Sequence, residues 1–290
     1  LIKIQKIDYK RQQYSFLKEW DSGRFYFRLR KTETIVILTT PEFYKILVIL
    51  LLFEFMTAEN KHYQRYLQAL AQSSFLKDSS AESLERLLSQ MIVERWNVKS
   101  FKNSLEVATT FHFIVSGRLK VFKSNPDSGR EHTVFVLSNG DVFDVLSLFD
   151  AEPHDVYWEA FDVLEVLKIP MDQMRSWIND YPAMHKAILY YLGERMRQLM
   201  DVATDVTLHS TLVRLAALLL KNINGETRKL ELINNLPNDE IAGMIGTTRS
   251  VVSRHIQELK RCGAISVSRK KINIKNLEIL LSIAEEKYLP

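Results

Sequence analysis

The spacing of hydrophobic positions changes several times along the chain, and each change marks a different kind of element. From Tyr63 to Trp96 the spacing is helical. Leu67, Leu70, Phe75 and Leu76 lead to Leu84, Leu87, Leu88 and Met91, and SSAES at Ser79–Ser83 supplies a start signal. Between Asn97 and Ile169 the period shortens. FHFIVSGRLKVFKS predicts two strands around a turn at Gly117, and SNPDSGREHTVFVLS predicts a hairpin tip at Asn125–Gly129 followed by a strand. NGDVFDVLSLF reads as a turn and a short apolar segment, and YWEAFDVLEVLKIP as two further short strands. Many short strands at such spacing predict a sandwich, barrel or jelly roll.

A long helix is predicted after Pro182. His185, Ile188, Leu192, Arg195, Leu199, Val202 and Val206 advance by alternating steps of three and four, a seam of about three heptads that predicts pairing of two copies. Packing of this helix on its own barrel is the alternative. Arg195 within an apolar seam is costly unless it meets an anion or a carboxylate, so it is either an ion-pair residue or part of a ligand site. TLVRLAALLLKN predicts another helix over Thr211–Asn222, and ETRKLELI alternates like a strand. LPNDEIAGMIG then starts a helix with Asn238 as N-cap and Asp239 and Glu240 in its first turn.

The stretch IAGMIGTTRSVVSRHIQELKRCG places two short helical patterns on either side of a Gly-Thr-Thr turn. Ile241, Ala242 and Ile245 form one apolar face. Gly246 suits a left-handed turn, and Thr247 or Thr248 can cap the next helix. In that helix Val251, Val252, Ile256 and Leu259 are expected to face inward. Arg249, Ser250, Ser253, Arg254 and Gln257 are left outward near its leading half. Arg can contact guanine bidentately, and Ser, Thr and N-terminal amides can hold phosphates, so this end, from Thr248 onward, fits a DNA major groove. GAISVSRKKINIK predicts a hairpin with Arg269, Lys270 and Lys271 at its tip, a basic wing. From Arg249 to Lys275 there are eight Lys or Arg and one acid, Glu258. Glu258 beside His255 reads as helix surface.

Charge sharpens the division. The net charge of +4 conceals +4 over residues 1–55, −5 over 56–206 and +5 over 207–290. An acidic middle and a basic end point to a polyanion as partner of the end alone. The single cysteine, Cys262, excludes an intrachain disulfide framework and a cysteine-held iron–sulfur cluster, and suits a reducing cytoplasm. Residues 1–55 contain no methionine and carry the apolar run Ile46–Phe53, too short to span a bilayer. They are expected to be an atypical extension, with Met56 a candidate native start; a membrane-associating hairpin is the alternative. The expected domains are therefore this extension, an effector domain over 56–180, a dimerisation helix over 181–208 and a DNA-binding domain over 209–290.

Over roughly residues 70–280 the chain resembles the cyclic-AMP receptor protein and fumarate–nitrate regulator (Crp/Fnr) superfamily of bacterial transcription factors. The resemblance is strongest in IAGMIGTTRSVVSRHIQELKRCGAISVSRKKINI, and clear in FIVSGRLKVF and GDVFDVLSLF, the latter similar to cyanobacterial nitrogen regulators. It implies an α+β fold with a cyclic-nucleotide-binding-like jelly roll, a long dimerisation helix and a C-terminal winged helix-turn-helix. It also implies that Arg249, Ser250 and Arg254 take base-reading positions and Ser253 a phosphate or base contact. Many members carry Glu where Ser250 stands, so a different half-site is expected. The effector positions implied are the Gly140-Asp141 turn with Val142, the His154-Asp155 pair and Arg195. Cyclic-AMP binders grip the phosphate with Arg-Ser or Arg-Thr where His154-Asp155 stands, and an Asp there repels an anion. Cyclic AMP is therefore not expected in the usual way. Arg195 matches an arginine that nitrogen regulators use for 2-oxoglutarate, but the second arginine is replaced by His154. The seven scattered His give haem little support, and no cofactor or metal is assigned.

The expected function is a homodimeric, effector-gated regulator of transcription, with double-stranded DNA and a second copy as partners, RNA polymerase as a candidate partner, and no membrane. A ligand-sensing subunit acting through a protein partner is the alternative. The chain has no phosphate loop, paired metal-ligand His or nucleophile elbow, so no catalytic residues are assigned.

Overall fold

The structure, a computed structural model, describes residues 20–21, 24–28, 35–39, 61–152, 154–224, 229–268 and 271–286. The chain divides into two compact units, Leu1–Gln64 and Arg65–Pro290. In the first, β1 (Trp20–Asp21), β2 (Arg24–Arg28) and β3 (Ile35–Thr39) form an antiparallel sheet in the order β1-β2-β3, with Tyr26 opposite Ile37. Met56 and the apolar run Ile46–Phe53 lie outside the described residues.

The second unit opens with the end of helix α1 (61–71) and with α2 (Ala81–Leu88). Ser80 caps α2 by accepting from the Ser83 amide at 3.2 Å, as the start signal at Ser79–Ser83 predicted. The helical pattern does not continue to Trp96, however. The chain turns at Ser89–Gln90 and Ile92–Trp96 is a strand, β4. Its Val and Trp side chains suit a pleated surface, and Trp96 fills the core of the roll.

Two four-stranded antiparallel sheets make the jelly roll. One runs β5 (Phe101–Asn103), β10 (Tyr157–Ala160), β7 (Leu119–Ser124), β8 (Glu131–Leu137). The other runs β4, β11 (Leu164–Pro170), β6 (Thr110–Ser116), β9 (Val142–Phe143). Short helices α3 (Ser104–Val107) and α4 (Val145–Asp150) interrupt them. Between the sheets lie Trp96, Ile114, Leu119, Phe143, Trp158, Leu164 and Val166. β6 is buried almost throughout rather than alternately, because its other face is covered too: Phe111 meets Phe75, which meets Tyr191 edge-on. The β7–β8 hairpin has its tip where predicted, and the Asn125 side chain accepts from the amides of Asp127 and Ser128.

After the roll come α5 (Met171–Asp180) and the long α6 (Met184–Leu208). Trp177 ties α5 to α2 by donating from its indole nitrogen to the Ser83 carbonyl at 3.1 Å. The winged domain follows with α7 (Thr211–Lys221), α8 (Asn238–Met244), α9 (Arg249–Arg261), β12 (Ile265–Ser268), β13 (Lys271–Ile274) and α10 (Leu277–Ala284). Leu215, Leu219, Ile241, Val252, Leu259 and Leu280 form its core. The strand expected in ETRKLELI is reduced, among the described residues, to a single bridge between Ile223 and Leu230, followed by a turn. Among the described residues no helix is long and apolar enough to cross a membrane.

Candidate functional site

The helix-turn-helix is built from local contacts. α8 begins one residue earlier than expected: Pro237 occupies the N-cap position, and Asn238 is already helical. The Asn238 side chain instead donates to Ser253 Oγ at 2.9 Å, bridging the two helices. Asp239 and Glu240 complement the positive end of α8. Gly246, at φ +64°, makes the left-handed turn that a Cβ would strain. Thr248 is extended at the N-cap position of α9, but its hydroxyl pairs with Ser250 Oγ at 3.0 Å rather than with a backbone amide.

Val252, Ile256 and Leu259 face the core, and Val251 is only partly covered. Thr248, Arg249, Ser250, Arg254 and Gln257 are exposed, while Ser253 is half-buried against Asn238. Arg249 stays 72% exposed, with Asp239 3.7 Å away. α9 thus presents two guanidiniums, a hydroxyl and an amide on one solvent-facing side of its first three turns, with no acid among them. The reading as helix surface is corrected for His255 alone: it is 7% exposed, between Thr211 Oγ1 at 2.8 Å and the partly exposed Glu258 at 3.1 Å, and locks α9 to α7. In the wing, β12 and β13 pair antiparallel with Ser268 opposite Lys271, and Lys271 is exposed. Arg269 and Lys270 lie outside the described residues.

The six expected effector residues do not form one constellation. Gly140, Asp141, Val142 and Arg195 gather where the β8–β9 turn meets α6. Arg195 donates to the Asp141 carboxylate, and its guanidinium lies 4.8 Å from the Tyr191 ring centroid and 5.6 Å from that of Phe135. The Tyr191 hydroxyl donates to the Val142 carbonyl at 3.1 Å. The Gly140 carbonyl accepts from Ser73 Oγ at 2.5 Å, and Asp141 also accepts from the Ser138 amide. Burial pushes the Asp141 carboxyl above its usual range, while Arg195 and the Ser138 amide pull it back. Arg195, Asp141, Phe135 and Thr133 border a cavity of about 450 Å³ that also reaches the winged domain, and Thr133 Oγ1 is buried there without a hydrogen bond.

His154 stands apart from that group. Its Nε2 is 2.8 Å from Asp144 Oδ1, 3.1 Å from Ser147 Oγ and 3.2 Å from the Ser147 amide nitrogen. Asp144 was not anticipated. Its side chain is fully buried at the start of α4, and its backbone sits at φ +65°. Burial pushes its carboxyl up, against hydrogen bonds from Ser147 and the charge of His154. His154 is thus occupied by an internal carboxylate. Asp155 lies elsewhere, on a cleft of about 920 Å³ between the β7–β8 hairpin and the helix-turn-helix.

The long helix carries an exposed apolar stripe, shifted from the predicted seam. Ile188 is buried within the single chain and Arg195 turns to Asp141, so neither faces outward as a seam requires. Leu189, Leu192, Met196, Leu199, Ala203 and Val206 keep the same three–four spacing one position on. Leu189 is 69% exposed and Met196 65%.

Comparison with known proteins agrees with this architecture. A Crp-like helix-turn-helix domain model matches residues 213–283, and a cyclic nucleotide-binding domain model matches 103–181. A CRP-like cAMP-activated global transcriptional regulator of Mycobacterium tuberculosis is 29% identical over 181 residues, 60% of this chain and 80% of the relative. A global nitrogen regulator of Synechocystis is 27% identical over 175 residues, 58% and 77% of the two chains. Among solved structures, a CooA variant from Carboxydothermus hydrogenoformans superposes with a TM-score of 0.58 at 22% identity, covering 69% of this chain and 90% of that one.

Proposed function

The chain belongs to the Crp/Fnr superfamily of DNA-binding transcription regulators with an effector-sensing domain, and from that premise we propose how its own residues carry the work. Two copies pair through the exposed stripe of α6, Leu189 to Val206, since an uncovered apolar row at heptad spacing is stable only against another like it. The two α9 helices then enter successive major grooves about one helical turn apart. Arg249 and Arg254 read base edges, Ser250 and Thr248 hold phosphate or base edges, and Ser253 is positioned by Asn238. Lys271, with Arg269 and Lys270, follows the adjacent phosphates. The observation that carries this reading is the exposed, acid-free leading face of α9 beside a basic wing.

The effector reading centres on Arg195. The Asp144 carboxylate on His154 opposes a bound phosphate there, so we propose that cyclic AMP is not the effector in its usual pose. A small anion that drew Arg195 from Asp141 would bind one arrangement of α6 better than the other, and that difference is what a switch requires. RNA polymerase is a further candidate partner.

Fluorescence-anisotropy titration of the full chain onto a labelled duplex at two salt concentrations, with sedimentation of the free protein, tests the proposal. Dimers whose affinity falls steeply with salt are expected. Monomers, or no salt-dependent duplex binding, would overturn it.

A further inference from the structure

A lysine buried inside the sensor domain grips the DNA-reading head. Lys120 projects from β7 with only 3% of its side chain exposed. Its Nζ lies 2.6 Å from Glu131 and 3.9 Å from Glu159, both in the jelly roll, and 2.9 Å from Glu240, in the first turn of α8. The contact to Glu240 is one of charge more than of an aligned hydrogen bond, since that carboxylate oxygen has no well-directed donor. Burial works against the ammonium charge, and the carboxylates of Glu131 and Glu240 outweigh it.

Two neighbours act on the same segment. Arg118, held by Asp162 at 2.6 Å, donates to the carbonyls of Leu232 at 2.7 Å and Asn234 at 2.9 Å, just before α8. His132 Nδ1 meets the Gly243 carbonyl, on the last turn of α8, at 3.1 Å. At Gly243 α8 runs so close to β8 that a Cβ would stand 3.2 Å from the side-chain hydroxyl of Thr133. Lys120 of β7, His132 of β8 and Arg118 in the turn before β7 thus hold residues 232–243 along their length. The reading face, Arg249, Ser250, Arg254 and Gln257, remains exposed in this docked arrangement, so docking does not block DNA.

We propose that the Lys120–Glu240 contact is a clamp that fixes the orientation of each reading head on its sensor domain, and that it is needed for two heads to engage a two-fold site together. It rests on the assignment of α9 as the DNA-reading helix. Lys120 is a positioning residue here, since it touches no DNA. A clamp of this kind converts movement of the roll into movement of α8, because the buried ammonium stays with the carboxylates that surround it.

The test compares two duplexes, a two-fold operator and its isolated half-site, against the full-length protein and its Lys120→Met and Glu240→Gln variants. Each variant is expected to lose about 10-fold or more on the two-fold site while changing about 2-fold or less on the half-site, the scale of an ordinary coupling between sites. Glu240→Gln removes charge from a partly exposed position and keeps the test decisive if Lys120→Met fails to fold. Equal or tighter binding of the variants to the two-fold site would overturn the clamp. Failure of the unaltered protein to bind either duplex would instead overturn the assignment of α9.

Discussion

Arg195 of the long helix closes on Asp141 in the β8–β9 turn, and so leaves the exposed stripe that it was expected to interrupt. Both side chains are 20% exposed, so the pair is largely removed from water. Removing one partner strands the other. Arg195→Met is expected to cost about 2–3 kcal/mol at pH 7, somewhat below the value for a fully buried pair. Its Asp141 carboxyl, already raised by burial, loses the guanidinium that pulled it back. A carboxyl whose folded pKa lies above its unfolded one favours the native state as pH falls. The deficit relative to the unaltered protein should therefore shrink from pH 7 to pH 5. Paired thermal denaturation curves at the two pH values measure it; a deficit independent of pH would contradict the pairing.

His112 makes a second pH prediction. It is 2% exposed, stacked 4.5 Å from the Phe143 ring inside the roll, and burial lowers its pKa from 6.5 to about 3. Near pH 7 it is neutral folded and mostly neutral unfolded, so it costs little. Below about pH 6.5 the unfolded chain takes up a proton that the native state refuses until about pH 3, so stability falls as pH falls through that window. His112→Phe keeps a ring against Phe143 and removes the titration. Denaturant unfolding between pH 7 and pH 4 should show a shallower loss in the variant, by several kcal/mol at most. Parallel losses in the two proteins would refute the burial of a neutral histidine.

The stripe on α6 predicts a clean separation of folding from assembly. Leu199 is 43% exposed within one copy. Leu199→Lys should therefore change the stability of a single copy by about 0.5 kcal/mol or less. In a paired seam the same change buries a charge at each of two facing positions and should convert dimers to monomers by sedimentation. A dimer that persists would place the interface elsewhere.

The reading face and the wing should fail differently. Arg254→Ala is expected to cost about 1–3 kcal/mol on the selected site and little on unrelated duplex. Lys271→Ala should weaken all sequences alike and reduce the slope of log affinity against log salt by about 1. Competition titrations with specific and scrambled duplex at several salt concentrations separate the two. Loss of the same size on both duplexes for Arg254→Ala would remove it from base reading.

What the sequence made legible follows from distance along the chain. The α8–turn–α9 unit closes within some two dozen residues, so its periodicity, Gly246 and the outward set at Arg249, Ser250 and Arg254 could be read directly. The jelly roll could be read as a class, from Gly117 and the Asn125–Gly129 tip, but β4 was hidden inside a pattern that also fits a helix. The seam on α6 missed by one position. Two series spaced by three and four share Leu192, Leu199 and Val206, and only the burial of Ile188 and the pairing of Arg195 with Asp141 decide between them. Asp144 was invisible because a left-handed backbone at a non-glycine residue leaves no trace in composition. Lys120 and Glu240 are separated by more than half the length of the folded unit, and no local pattern joins them.

Selection of bound sequences from a random duplex pool by the full chain, at two salt concentrations, tests the central claim most directly. The predicted result is a two-fold symmetric motif whose half-sites lie about one helical turn apart, enriched more strongly at the higher salt, where phosphate contacts alone no longer suffice. A pool that binds without any motif, with and without a panel of small anions, would contradict the assignment of α9 as a sequence reader.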